Sequence, residues 1–156
     1  MSVILAVDPG KVTGLALLDT SNGEFTVWQV DARGGAKESV SERVTSTVRS
    51  TLREYSFVPR IDVVVEDFVL RHGQAVDITP MHTIGAIDEL ANYSTYKYSP
   101  GTHKNGNKAY DISKMIKDSG FKLEGDHKAD ALSLSLHHWK IHDAVAALEF
   151  LEDYKK

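Results

Sequence analysis

The stretch 3–18, VILAVDPGKVTGLALL, has the pattern of a buried strand, a turn and a second strand. Its first apolar run, 3–7, has the length and β-branching of a strand that is buried on both faces. A Pro-Gly turn follows, and Gly14 is expected to let the chain reverse into a second strand. Asp8 is therefore predicted at the last position of a central strand, held rigidly and reachable from outside. Because Asp-Pro-Gly favours turns in general, a turn-making role for Asp8 is an equally good interpretation of this stretch alone.

The composition of the 156-residue chain predicts one domain, residues 1–156, with a hydrophobic core of its own. The chain contains no cysteine, which excludes disulfides and thiolate metal sites and suits a reducing cytoplasm. No apolar run approaches the roughly 20 residues of a membrane span, and no basic region precedes the first run as in a signal peptide. The formal net charge of −4 argues against a protein that coats nucleic acid by bulk charge, but it allows a local basic surface.

Strand and helix signals alternate along the rest of the chain. Strands predicted at about 14–18 and 25–30 would pair antiparallel, because a Ser-Asn-Gly turn separates them. An amphipathic helix is predicted at about 36–55, and the apolar strand Ile61–Glu66 after this crossover should lie parallel to the first strand. The remaining predicted elements are a helix at about 79–93, a strand at 95–98, a loop-like segment at 102–108, and helices at about 109–119, 125–138 and 143–154. This order predicts an α/β fold with a five-stranded mixed sheet, its first three strands antiparallel, flanked by helices.

Two carboxylates occupy matching positions on the predicted sheet. Asp8 and Glu66 each end an apolar strand, and the two strands are expected to be parallel neighbours. Their carboxylates would then meet at the carboxyl edge of the sheet, where open α/β sheets place their binding sites. Two adjacent carboxylates repel each other, which indicates a bound cation; solvation, or pairing of one carboxylate with a lysine, would also relieve the repulsion.

Further candidate ligands lie in the segment DHKADA at 126–131. His127 and Asp130 are three residues apart and share a face of the predicted helix, so they suit a metal pair. For His127 alone, a surface or capping role is the default interpretation. Asp126 follows a glycine where the helix should begin, so it is interpreted as an N-cap first and as a metal ligand second.

The candidate ligands form one set of mainly oxygen donors. Its members are Asp8, Glu66, His127 and Asp130. Three carboxylates with one imidazole suit Mg²⁺ or Mn²⁺ better than a structural zinc ion. With two Mg²⁺ ions and one phosphate, the formal charge is close to zero, which suits two-metal phosphodiester hydrolysis. One ion would activate a water molecule and the other would stabilise the leaving oxygen.

On these residues the chain resembles the RuvC-type Holliday junction resolvases of the RNase H-like (retroviral integrase) superfamily. The resemblance rests on AVDPG at 6–10 with Thr-Gly at 13–14, VVVE at 63–66, and HKADAL at 127–132. The Asp, Glu and Asp/His-x-x-Asp positions of the family map onto Asp8, Glu66, His127 and Asp130. The first motif alone is shared with RNase H-like ATPases and other nucleases, whereas all three in this order are specific. The likeness is closest to short phage-encoded members, because the loop after Glu66 and the lysine-rich segment after Pro100 depart from the longer bacterial enzymes.

The resemblance implies an RNase H-like fold and a Mg²⁺-dependent endodeoxyribonuclease that cleaves Holliday junctions and other branched DNA by two-metal hydrolysis. It implies two Mg²⁺ ions as cofactors, with Mn²⁺ also supporting activity. A homodimer is implied as well, since resolution of a junction needs two paired nicks. Four-way junctions are the expected substrate, with flaps and replication forks as further candidates. The expected location is the cytoplasm, that of the host bacterium for a phage-encoded protein.

Candidate DNA contacts lie outside the metal set. Lysines outnumber acidic residues in the stretch 97–128, so a phosphate backbone could approach there; an ordinary solvated face is an equally good interpretation. If the strand continued beyond Glu66, Phe68 and Leu70 would lie on the same side and could wedge against unstacked bases, although packing is the favoured role. The candidate DNA-binding residues are Phe68, Arg71, His72, Lys104, Lys108 and Lys114.

Two alternative functions stay open from the sequence. A YqgF-type RNA-processing nuclease shares the Asp-Pro-Gly opening and would cleave structured RNA in preference to branched DNA. A catalytically silent binding module would bind a DNA junction in Mg²⁺ without nicking it. An RNase H-like sugar kinase or ATPase is disfavoured, because the chain is too short for two such lobes and the nucleotide cleft between them.

Overall fold

The computed structural model describes residues 2–31, 39–68, 78–90 and 93–156. Its strands are β1 (Val3–Asp8), β2 (Thr13–Asp19), β3 (Phe25–Val30), β4 (Ile61–Glu66) and β5 (Ser94–Tyr98). Its helices are α1 (Val40–Glu54), α2 (Thr79–Asp88), α3 (Thr102–Gly106), α4 (Ile112–Asp118), α5 (His127–His142) and α6 (Ala144–Leu151), followed by a 3₁₀ turn, Glu152–Tyr154. Within these described ranges, no helix is long and apolar enough to cross a membrane.

The five strands form one mixed sheet in the order β3-β2-β1-β4-β5, which confirms the predicted fold class. β2 pairs antiparallel with β1 and β3, and β4 lies parallel to β1 and β5. In the β1–β4 register Val7 is opposite Val65. Asp8 and Glu66 follow these two residues, so they end neighbouring strands side by side, as the sequence predicted.

The sheet separates two apolar cores, because successive strand residues point to opposite faces. On one face, Leu5 and Val63 belong to the core that packs against α1 and α2. On the other face, Ile4, Ala6 and Val64 belong to the core that packs against α5. Burial on both faces accounts for the uninterrupted apolar runs of β1 and β4. Asp8 and Glu66 continue the row that faces α5.

Gly14 allows a close approach between β2 and the first turn of α5. It lies inside β2, opposite Asp8, and its φ is not in the left-handed region. A Cβ atom at this position would lie 1.9 Å from the carbonyl oxygen of His127. The expectation that Gly14 serves a chain reversal is therefore wrong. Glycine is needed because α5 packs directly onto the strand beside Asp8.

Several helix boundaries differ from the predictions. α1 begins at Val40, because Ser39 and Glu42 form a capping box in which the Glu42 N–H donates to Ser39 Oγ at 3.2 Å. α2 ends at Asp88, before its predicted end at about 93. The segment predicted as a loop at 102–108 contains the one-turn helix α3. A short polar helix has no apolar periodicity that a sequence can reveal, and contacts with other elements hold this one in place.

Candidate active site

Three carboxylates from three elements meet at the carboxyl edge of the sheet. Asp8 comes from β1, Glu66 from β4 and Asp130 from the first turn of α5. Their side chains are 12%, 17% and 21% exposed. Burial, followed by the negative charges of Glu66 and Asp130, raises the pKa of Asp8 to about 7. Lys104 and His103 oppose this rise. This mutual effect requires the three carboxylates to be close together.

His103, which the sequence gave no reason to select, is the hydrogen-bond partner of Glu66. Its Nε2 lies 2.5 Å from Glu66 Oε2, and its side chain is fully buried. His103 lies on α3, in a polar segment without periodicity. Only the fold brings this segment to the end of β4.

The neighbouring residue of α3, Lys104, pairs with Asp130. The Lys104 Nζ donates a hydrogen bond to Asp130 Oδ2 at 2.8 Å. Burial lowers the pKa of Lys104, but the hydrogen bond and the charges of Asp130, Glu66 and Asp8 outweigh it and raise the pKa above its ordinary value. Lys104 is therefore positively charged at neutral pH. It was predicted as a DNA contact, and the structure places it among the carboxylates.

His127 opens α5 at the border of the site. Its Nδ1 lies 3.5 Å from Asp8 Oδ2, longer than a well-formed hydrogen bond, and its side chain is 42% exposed. Asp126 occupies the predicted N-cap position of α5, but its side chain makes no capping hydrogen bond within the described chain. The predicted capping contact is therefore wrong. The backbone carbonyl of Asp126 instead accepts the first helical hydrogen bond, from the Asp130 N–H at 2.8 Å.

The donor set suits a divalent cation in its chemistry, although two of its carboxylates are paired with side chains outside the set. Carboxylates with an imidazole are ligand types that Mg²⁺ and Mn²⁺ accept. In the described ranges no three acidic, histidine or cysteine side chains are arranged to coordinate one ion. Glu66 and Asp130 instead pair with His103 and Lys104. A bound cation would neutralise the negative charge that raises the pKa of Asp8.

The predicted DNA contacts have different surroundings. Phe68 is half-buried and packs against the core beneath α1 and α2, in agreement with a packing role. β4 ends at Glu66, so the strand continuation considered for a wedge is not formed. Lys108 is exposed just after α3, whereas the Lys114 Nζ on α4 is paired with Asp118 at 2.8 Å. Leu70, Arg71 and His72 lie outside the described residues.

A second buried polar cluster, not predicted from the sequence, lies at the start of β4. Asp62 accepts hydrogen bonds from Arg60 Nε and from His138 Nε2, both at 3.0 Å. The other ring nitrogen of His138 pairs with the Tyr98 hydroxyl at 2.8 Å. Burial lowers the pKa of His138, against the effect of its hydrogen bond to Asp62. The available signal was an aspartate at a core-facing position of a strand, which needs a buried partner.

Comparisons with known proteins agree on the fold. No protein-family model and no curated protein sequence matches the chain. Among solved structures it is similar to T. thermophilus RuvC in complex with Holliday junction substrate, with a TM-score of 0.65 and 22% identity over 92% of this chain and 97% of that one. A second T. thermophilus RuvC structure gives a TM-score of 0.62 and 21% identity over the same shares. The yeast mitochondrial Holliday junction resolvase gives 0.52 and 16% identity over 98% of this chain and 81% of that one. The chain therefore has the RuvC fold, as its resemblance to that family predicted.

Proposed function

We propose that the chain is a RuvC-type junction-resolving endonuclease, a single nuclease domain over residues 1–156. The observation that carries this proposal is the convergence of Asp8, Glu66 and Asp130, where burial and then the charges of the other two carboxylates raise the pKa of Asp8. Such a concentration of like charge in a partly buried site is typical of a functional centre. The similarity to a RuvC structure in complex with Holliday junction substrate supports branched DNA as the substrate class.

We propose Asp8, Glu66, His127 and Asp130 as the residues that hold metal, with two Mg²⁺ ions as cofactors and Mn²⁺ as a substitute. When bound, the ions would supply an activated water and stabilise the leaving oxygen of the phosphodiester. Asp8 has to release its proton before it can act as a ligand, because its pKa is about 7. Lys104 holds the carboxylate of Asp130 in place by its hydrogen bond.

The DNA contacts and the assembly complete the proposal. Lys104 and Lys108 are the lysines of α3 and its exit, and they are the proposed phosphate contacts beside the carboxylates. The further proposed DNA contacts are Phe68, Arg71, His72 and Lys114. We propose a homodimer, because two nicks placed symmetrically across a junction need two active sites. The proposed location is the cytoplasm.

The test is cleavage of an end-labelled four-way junction in Mg²⁺. We expect the parent protein to nick the junction, and Asp8→Asn, Glu66→Gln and Asp130→Asn to lose on the order of 10³-fold in rate, since metal catalysis supplies several kcal/mol. Junction binding should persist in all three. Glu152→Gln is the matched control, because that exposed carboxylate pairs with Lys155, and neither residue belongs to the proposed site. Substantial cleavage by any of the three variants would remove that residue from the site.

The same assay tests the alternatives and the role of His127. Preference for structured RNA over branched DNA would indicate a YqgF-type nuclease, and tight junction binding without nicks would indicate a silent module. His127→Asp should stay active, because the matching position of the family accepts either residue. His127→Ala should be severely impaired. If His127→Ala cleaves like the parent, His127 is not a ligand and Asp126 becomes the candidate.

A further inference from the structure

We propose that His103 is a positioning residue that holds the Glu66 carboxylate in the orientation the site requires. This inference rests on the proposed function. An ionised carboxylate only accepts hydrogen bonds, so at 2.5 Å the Nε2–H of His103 has to be the donor to Glu66 Oε2. The partner of the donor is therefore one named oxygen of one candidate metal ligand.

The two ring nitrogens of His103 show that this contact is specific. Its Nδ1 is buried and has no hydrogen-bond partner among the described residues, so the only hydrogen bond of the ring is the one to Glu66. His138 is a useful contrast, because it is equally buried and uses both nitrogens, toward Asp62 and Tyr98. A histidine kept for the stability of the core is expected to satisfy both nitrogens, as His138 does. His103 instead leaves one nitrogen unpaired and keeps the contact with Glu66.

The short helix that carries His103 is fixed to α5. Asn107 Nδ2 donates to the Ser133 carbonyl at 2.6 Å and to Ser133 Oγ at 2.9 Å. Lys140 Nζ donates to the carbonyl of Gly106 at 2.5 Å. Since α5 also carries His127 and Asp130, α3 links the end of β4 to the helix that supplies the other two candidate ligands. His103 can therefore set the direction of Glu66 relative to the rest of the site.

This arrangement predicts a division between the two oxygens of Glu66. Within the described part of the chain, Oε2 accepts from His103 and no hydrogen bond uses Oε1. Oε1 is then the oxygen available to a cation. Without the Nε2–H, the carboxylate could rotate about its terminal bond. Removal of such an outer hydrogen bond from a metal ligand typically costs about 10- to 100-fold in metal affinity or activity.

The test compares His103→Gln with His103→Asn in the full chain. Both introduce a neutral amide, but only glutamine reaches far enough to place an N–H where Nε2 lies. We expect His103→Gln to keep most of the cleavage rate and Mn²⁺ affinity. His103→Asn should lose about 10- to 100-fold in kcat and in Mn²⁺ affinity. The affinity is measured from the electron paramagnetic resonance signal of free Mn²⁺. The KM for the labelled junction should be unchanged in both variants.

A matched control separates positioning from stability. His138→Gln changes the other buried histidine that pairs with a carboxylate, and it should lower the thermal midpoint without changing the Mn²⁺ affinity of the folded protein. Equal kcat and Mn²⁺ affinity in His103→Asn and the parent would overturn the inference, and so would equal losses in folded His103→Gln and His103→Asn. A parent that neither binds Mn²⁺ nor cuts junctions would overturn the proposed function itself.

One measurement needs no variant at all. Nitrogen-15 spectra of the histidine rings in the unmutated protein report which ring nitrogen of His103 carries a proton. We expect a proton on Nε2 that is hydrogen-bonded to Glu66 and protected from exchange with solvent. A ring protonated on Nδ1 alone could not donate to Glu66 and would overturn the inference, even if both variants failed to fold.

Discussion

The two ends of β4 each carry an acidic residue paired with a histidine, buried at Asp62 and half-buried at Glu66, but the surroundings of the two pairs differ. Asp62 and Glu66 are four residues apart on the same face of the strand, and their side chains are 4% and 17% exposed. Around Asp62 the partners are the Arg60 guanidinium and the His138 ring. Around Glu66 the neighbours include the carboxylate of Asp8, whose pKa it raises.

The two pairs differ in how well the surrounding charges are balanced. The Asp62 cluster is balanced, since each polar group in it has a partner of complementary charge or hydrogen-bonding type. The site at the other end of the strand concentrates three carboxylates that the folded chain does not fully neutralise. Burial of an acidic residue therefore says little about function, whereas an excess of like charge at a strand end indicates a bound cation.

The largest expected effect is a difference in the free energy of unfolding between variants at the two ends of β4. His138→Leu leaves the Asp62 carboxylate buried with fewer partners and should lower the free energy of unfolding by about 3 to 5 kcal/mol. Glu66→Gln should lower it by less or raise it, because the change removes repulsion from Asp8. Urea titrations of both variants at pH 7 without metal provide the measurement. Similar losses at the two ends of β4 would contradict the comparison.

The next effect is a pH dependence of the stability that arises from Asp8, beside Glu66 at the carboxyl end of β4. Between pH 3.8 and about 7 the folded chain retains the Asp8 proton that the unfolded chain has released, because the folded pKa is about 7. The folded state binds more protons, so this contribution to stability is lost as the pH rises toward 7. The loss corresponds to about 4 kcal/mol.

Denaturation at several pH values without metal tests this dependence. Asp8→Asn should show a flatter profile and be more stable than the parent at pH 8. Mn²⁺ should stabilise the parent more at pH 8 than at pH 5, because a cation favours the ionised carboxylate. An unchanged pH profile in Asp8→Asn would show that another group is responsible.

A smaller effect concerns the packing that brings α5 to the site. Gly14→Ala would place a Cβ atom 1.9 Å from the His127 carbonyl oxygen, so the helix has to move. We expect a loss of about 1 to 3 kcal/mol, as in other overpacked positions, together with slower cleavage. Gly85→Ala is the control, because no atom lies within 4 Å of a Cβ there and the position is helical. That variant should gain about 0.5 to 1 kcal/mol. An unaffected Gly14→Ala protein would refute the close approach.

The smallest expected effect distinguishes two lysines at the substrate surface. Lys108→Ala should reduce the magnitude of the log–log salt slope of junction binding by about 0.9, the value for one phosphate contact. Lys114→Ala should reduce it by less, because that ammonium is already paired with Asp118. Binding of a labelled junction over a range of KCl concentrations gives both slopes. Equal changes would show that the Asp118 pair does not withhold Lys114 from DNA.

The local sequence pattern was sufficient to predict the sheet and the positions of two carboxylates at its edge. The apolar runs of β1 and β4 predicted central strands, because only strands buried on both faces are apolar at every position. A helix between them predicted parallel pairing, which places Asp8 and Glu66 at one edge. The spacing of His127 and Asp130 predicted that they share a turn of a helix, and α5 begins at His127.

The side chains that surround those carboxylates could not be predicted, because they come from segments distant in the sequence. His103 and Lys104 come from a segment whose local pattern predicts a loop, and their partners lie 37 and 26 residues away in the sequence. Gly14 was interpreted as a turn residue because a close helix–strand approach leaves no local signature. Periodicity and turn chemistry describe interactions between near neighbours in the chain. The pairing of buried charges depends instead on which distant elements the completed fold brings into contact.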